Sequence, residues 1–544
     1  MRGAPRSLIW TTATGLCLIA SATMKSAVLT DVVTYHNDVA RTGQNLDETV
    51  LTPSRVAAAT FGKTNFFSTD GKVDAQPLFL SRLNVPGVGL RDVLYVATEH
   101  GSVYAFDAAT GSILWKTSLL GTGESASDTR GCSQVTPEIG ITSTPVIDRS
   151  RGENGVIYVV AMSKNASGYF QRLHALDAAL GTELFGGPTT VEASYPGSGA
   201  GSSGGVVAFD PKQYEERAGL LEVNGSIVTV WTSHCDIDPY TGWVMAFDAG
   251  TLARTGVVNL TPNGSRGGMW MASAGPAADA AGNVYVLDGN GTFDTSLTGS
   301  GFPVNGDFGN AFVKLATGGG GLAVADYFAT FDTVAASNAD SDLGSGGAMV
   351  FPDLVDAGGI TRHLAVGAGK DGHIYVVDRD AMGKFNASAN QNYQDISGAL
   401  GGSVFSMPAF FNNTLYYGAA GAKLKAFPVA SARVASTASS STATSFTYPG
   451  TTPGISASGT TNGIVWAVQN SNPAVLHAYD AANLGRELYN STQAASSRDS
   501  FGAGNKFITP TIVAGHVYVG TATGVAAFGL LIAPNPPTNL RIIR

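Results

Sequence analysis

A single unit recurs along this chain, and its recurrence restricts the fold more than any other feature. Tyr95-Val96 is followed by Gly101-Ser-Val-Tyr104-Ala-Phe-Asp107-Ala-Ala-Thr-Gly111-Ser-Ile-Leu-Trp115. The cadence returns at Tyr158-Val159 with Leu173-His-Ala-Leu-Asp177-Ala-Ala-Leu-Gly181, and again at residues 243–248, 372–378 and 476–485. Weaker copies lie at 424–427 and 524–528, and one copy is split between Val284-Tyr285 and residues 312–315 by a Gly-rich insertion. Each copy reads as a β-branched and aromatic strand, a Gly-containing turn and an alternating strand that ends in Asp. Asp can accept bonds from amides two residues on and Gly takes positive φ, so Asp-Ala-x-Thr-Gly suits a turn. A further short strand is expected upstream, beginning near Pro77, Pro145, Pro276, Pro408, Pro453 or Pro510.

Counted together, these strands make eight units of about 57 residues between residues 70 and 529. Four short antiparallel strands repeated eight times predict an all-β protein, an eight-bladed β-propeller; the alternative is seven blades with an irregular insertion. Residues 32–37 are expected to supply a strand that closes the ring against the last blade. Residues 429–452, dense in Ser, Thr and Ala, are expected to be a loop within one blade.

Composition agrees with this reading. The 69 Gly residues among 544 suit many tight turns and weigh against a helical bundle. A net charge of -9 argues against nucleic acid and against anionic membranes as partners. Residues 1–22 read as a signal peptide: Arg2 and Arg6, an apolar stretch over 8–19, then Ala20-Ser21-Ala22 as a cleavage site. No other apolar run approaches membrane length, so the mature chain is expected to be secreted or periplasmic, with no span left after cleavage. The propeller is assigned to 30–530 and a tail to 531–544. Cleavage would leave Cys132 and Cys235, a candidate disulfide closing a loop of 103 residues; a reactive or metal-binding thiol is the alternative.

The repeat resembles that of the pyrroloquinoline quinone (PQQ) propeller superfamily, over almost the whole mature chain. That superfamily includes eight-bladed quinoprotein alcohol dehydrogenases and non-catalytic relatives such as an outer-membrane assembly lipoprotein. The resemblance implies a set of site residues. Trp270, in Gly267-Gly-Met-Trp270, matches the aromatic floor under the quinone. Asn290, in Asp288-Gly-Asn290-Gly, matches a Ca²⁺ ligand, and Asp342, in Asp340-Ser-Asp342, matches the catalytic carboxylate beside the metal. Lys370 falls 28 positions after Asp342, as does the family's basic residue against the quinone oxygens.

Some family features are absent. Gly131-Cys132-Ser133 keeps one of two adjacent cysteines, no Glu occurs between Glu192 and Glu215 where a metal-ligating Glu belongs, and no C-x-x-C-H motif is present. Glu138 is a candidate substitute for that Glu. His234, Cys235, Asp236 and Asp238 form either a disulfide-tethered loop or a metal site. Two functions follow: a PQQ- and Ca²⁺-dependent dehydrogenase of alcohols or sugars, or a non-catalytic propeller that binds a protein or polysaccharide partner.

Overall fold

A computed structural model describes residues 30–318 and 321–531. The expected leader, residues 1–22, and all of the tail except Leu531 lie outside the described residues. Eight sheets of four or five strands succeed one another around a ring, which is the eight-bladed propeller and not the seven-bladed alternative.

Blade 1 shows how the repeat builds each sheet. Its strands are Leu78–Val85, Gly89–Ala97, Ser102–Asp107 and Ile113–Ser118, each antiparallel to the next. Tyr95-Val96 lies in the second strand, Tyr104 to Asp107 in the third and Trp115 in the fourth. Asp107 ends its strand by accepting the amides of Ala109 (3.0 Å) and Thr110 (3.1 Å), and Gly111 closes the turn at φ 77°. Asp177 and Asp248 do the same in blades 2 and 3.

The repeated Tyr and Ala join neighbouring blades. Tyr95 donates its hydroxyl to Ala178 O at 2.9 Å, Tyr158 to Ala249 O at 2.5 Å and Tyr416 to Ala481 O at 2.8 Å. Each buried phenol thus finds its acceptor at the Asp-Ala turn of the next blade, while its ring packs between the sheets. Innermost strands open one residue after the marker prolines, as at Leu78–Val85, Val146–Asp148, Ala409–Phe411 and Thr511–Val513. The split copy is also one blade: Val284–Leu287 pairs with Phe312–Ala316 across the insertion that carries Asn290.

Two expectations are corrected. The ring is closed by Phe61–Ser68, which pairs antiparallel with Gly524–Leu530 as the outer strand of the last blade. Residues 32–45 instead line the bore. Val32 exchanges backbone bonds with Phe79 of blade 1, and Val33 O accepts from Ile147 N of blade 2. The walk continues with Arg41 to Leu220 O at the entry to blade 3 and with Val39 O, Ala40 O, Thr42 O and Gly43 O accepting from blades 4 to 7. Asn45 finishes it by donating to Ile512 O of blade 8. Within this collar the ring nitrogens of His36 lie 2.9 Å from Arg41 O and 2.9 Å from Pro453 O. Innermost strands leave one edge unpaired toward the axis, and the collar satisfies it.

The second correction concerns 429–452. Ser440–Phe446 is a strand paired with Ala422–Ala430, so this Ser/Thr-rich segment supplies a strand of blade 6. Among the described residues no helix is long and apolar enough to cross a membrane.

Candidate functional site

The segments that lead into the innermost strands converge on one face of the ring. They enclose a cavity of about 380 Å³, and Trp270, Asn290, Asp342 and Lys370 all line it. Beneath them Arg41 stops the bore, fully buried and donating to Pro276 O at 2.8 Å and Tyr35 O at 2.7 Å.

Trp270 is seated by close backbone packing. A side chain at Gly289 would stand 2.7 Å from Gly268 O and 3.2 Å from the Trp270 ring, so only Gly fits between the insertion and the indole. The next residue, Asn290, is buried. Its amide donates to Asp340 Oδ1 at 2.6 Å, and its Oδ1 has no partner.

Asp342 is 1% exposed, and Lys370 Nζ lies 2.6 Å from its Oδ1. The same ammonium also pairs with Asp340. Burial pushes the Asp342 carboxyl above its usual range, and Lys370 pulls it back only in part. For Lys370 burial opposes the charge, but the two carboxylates outweigh it and the ammonium is held more firmly than usual. One fixed cation and one buried carboxylate thus meet in a space that opens onto an indole face.

Cys132 and Cys235 form a disulfide with their Cα atoms 5.4 Å apart, and Cys235 reaches the cavity wall. The blade 2 segment that carries Cys132 spans the mouth. Gln134 Oε1 accepts from Lys506 Nζ at 3.2 Å and from the Tyr448 hydroxyl at 3.3 Å, on the entries to blades 8 and 7. Lys72 donates to Thr136 O at 2.6 Å.

Residues 72–218 match the family model described as outer membrane protein assembly factor BamB. No curated protein matches the chain. The quinohemoprotein alcohol dehydrogenase of Comamonas testosteroni is similar in structure, with TM-score 0.58 at 16% identity over 93% of this chain and 82% of that one. Quinohemoprotein alcohol dehydrogenase ADHIIG of Pseudomonas putida HK5 gives 0.57 at 14% identity, over 94% and 82%. A europium-containing methanol dehydrogenase gives 0.57 at 12%, over 92% and 98%. The chain shares the eight-bladed β-propeller fold of these proteins.

Other candidates in this propeller lie elsewhere. Glu138 does not line the cavity and accepts from His100 Nδ1 at 2.8 Å, so it does not stand in for the missing Glu. The 234–238 group is a disulfide-tethered loop: His234 faces Glu215 at 3.3 Å, Asp236 accepts the Tyr240 hydroxyl, and Asp238 pairs with Arg266 at 2.7 Å. Among the described residues no group of three or more His, Cys, Asp or Glu is arranged to hold a metal.

Sequence reasoning missed Arg217, Phe405, Tyr448 and Phe507, which complete the wall of the cavity. Glu215 and Glu216, which follow the Glu-free stretch after Glu192, are buried but do not line the cavity. A positional signal existed. Phe405, Tyr448 and Phe507 each stand three to five residues before a marker proline, as Trp270 stands six before Pro276.

Proposed function

We propose that this chain is an exported, secreted or periplasmic, quinoprotein-like dehydrogenase that binds PQQ with Ca²⁺ on the central face and oxidises an alcohol or sugar. One observation carries the reading: Trp270, Asn290, Asp342 and Lys370, from segments up to 100 positions apart, share a single cavity of about 380 Å³.

The residues fit the group. The indole offers a flat face, Lys370 offers a fixed positive charge beside it, and the buried Asn290 Oδ1 lacks a partner. Asn290 Oδ1 and Asp342 are hard oxygen donors of the kind Ca²⁺ takes, and the remaining donors would come from the cofactor. When bound, PQQ supplies the two-electron acceptor and the metal makes its carbonyl more electrophilic. The protein's own part is to hold and move a proton. Asp342 accepts the substrate hydroxyl proton at Oδ2, while Lys370 fixes Oδ1 and steadies the carboxylate. Trp270 would close the floor of the cavity, and the segment across the mouth would limit the entry of water.

Titration of the mature protein with PQQ, with and without Ca²⁺, tests this by absorbance and Trp fluorescence. Saturable, Ca²⁺-dependent binding is expected. The rival reading, a non-catalytic scaffold for a protein or polysaccharide, is favoured by the match over residues 72–218 and requires no response to PQQ at high micromolar concentration.

A further inference from the structure

We propose that Arg217, on the cavity wall, and Lys506, behind the wall residues Gln134 and Tyr448, form a clamp for the carboxylate edge of a flat, anionic ligand. This deepens the cofactor reading and rests on it, because it names the side chains that would hold the ligand's negative charge.

Arg217 is 5% exposed, yet its guanidinium lines the cavity. It lies over two aromatic rings, 4.9 Å from the centre of Phe507 and 5.8 Å from that of Trp270. Its Nε has no hydrogen-bond partner. The nearest carboxylate, Glu215, is 3.9 Å from that nitrogen, too far for a hydrogen bond, and Glu215 also faces His234 at 3.3 Å. Stacking on aromatic faces stabilises a guanidinium but uses none of its in-plane donors. A buried cation in that state is incomplete, and a planar carboxylate completes it with two parallel N–H···O bonds.

Lys506 adds a second positive charge. Its ammonium donates to Gln134 Oε1 and lies 5.7 Å from the centre of the Tyr448 ring. Burial first, then the positive charges of Arg217 and Lys72, make it easier to deprotonate than an ordinary lysine. An arriving anion would relieve that repulsion. The cavity's carboxylates are already engaged: Asp340 and Asp342 hold Lys370, and Asp236 accepts the Tyr240 hydroxyl. Arg217 therefore keeps an Nε donor with no hydrogen-bonded acceptor beside aromatic rings, with Glu215 as its only nearby counter-charge among the described residues.

The probe is pyridine-2,6-dicarboxylate, a flat dianion with no redox chemistry. It is added to the disulfide-intact mature protein without PQQ or Ca²⁺ and followed by Trp fluorescence and calorimetry. Saturable binding is expected, weakened about tenfold or more in Arg217→Gln and in Lys506→Gln and changed less than about twofold in Lys423→Gln, an exposed lysine outside the cavity. Arg217→Lys, which keeps the charge but loses the fork, should fall between wild type and Arg217→Gln. Lys506 stands nearer the surface, so its variant tests the clamp even if Arg217→Gln does not fold. Equal binding by wild type and both Gln variants, or no binding by wild type, overturns the clamp and leaves the PQQ titration to decide the cofactor reading. Clamp-dependent binding of the probe without any PQQ binding keeps the clamp and removes PQQ. D-glucuronate, a carboxylate without a flat ring, should bind much more weakly; Arg217-dependent binding as tight as the probe's overturns the flat-ligand assignment.

Discussion

Lys370 grips Asp342 twice: its Nζ lies 2.6 Å from the carboxylate Oδ1, and its backbone amide donates to the Asp342 carbonyl at 2.9 Å. Both residues belong to the same end of blade 5. Asp342 stands before the innermost strand Met349–Val350, and Lys370 stands in the turn between Leu364–Gly367 and Ile374–Asp378. One strand down and one strand back returns the chain to the face it left, which is what a separation of 28 residues encodes.

If Asp342 is the proton acceptor, Asp342→Asn should lower kcat by about 10² to 10⁴ with PQQ and Ca²⁺ present. The melting temperature should not fall, since the amide has the same shape and carries no buried charge. A dye-linked assay beside a thermal melt checks this, and unchanged turnover would exclude the role.

Lys370→Gln should destabilise the protein, because it leaves Asp342 buried with its main counter-charge gone. Breaking a fully buried pair costs about 3–5 kcal/mol; Lys370 is partly exposed, so about 2 kcal/mol is expected. In the background of Asp342→Asn the same substitution should cost much less. Denaturant titration of the four proteins measures the coupling.

Reducing the Cys132–Cys235 bond should loosen the segment across the mouth before it affects the blades. Hydrogen exchange over residues 128–138 should rise under a dithiol reductant, while exchange in Val156–Asn165 and Gly168–Asp177 stays slow. The loss of stability should stay under the roughly 4.7 kcal/mol that loop entropy assigns to a closed loop of about 100 residues.

Glu99 should make stability fall as pH rises. Its side chain is fully buried beside Lys72 (2.7 Å), and its carboxyl is pushed up to about 10, by burial first and then by Asp74, with Lys72 acting the other way. Between the unfolded value of 4.5 and that raised value the folded chain holds a proton that the unfolded chain releases, so alkali favours unfolding. Melting temperatures from about pH 6 to about pH 9 should decline in wild type and decline less in Glu99→Gln. Equal slopes would show that Glu99 is ionised in the fold.

Phe61 anchors the closing strand. It is fully buried, 4.9 Å from Tyr489 and 5.3 Å from Trp466 between ring centres. Phe61→Ala should cost about 3–5 kcal/mol in chemical unfolding, since the cavity it leaves lies in the seam between the last two blades.

The repeat was legible in the sequence because its chemistry is local. An Asp that caps a turn and a Gly at positive φ act within a few residues, and they recur at every copy. Even Tyr95 reaching Ala178 could be read as periodicity, because each blade presents the same acceptor to its neighbour. Trp270, Asn290, Asp342 and Lys370 were named through the resemblance to the PQQ propellers, and the structure brings all four to one cavity.

The sequence by itself therefore determined the blade and limited its copies to seven or eight. Only the tertiary structure decided that Phe61–Ser68 closes the ring, that residues 32–45 collar the bore, and that Arg217 lies between Trp270 and Phe507. Those contacts join residues from 47 to more than 460 positions apart. No period repeats them, so no pattern announces them; they exist because a closed ring brings the ends of its chain together and leaves unpaired edges and charges facing one axis.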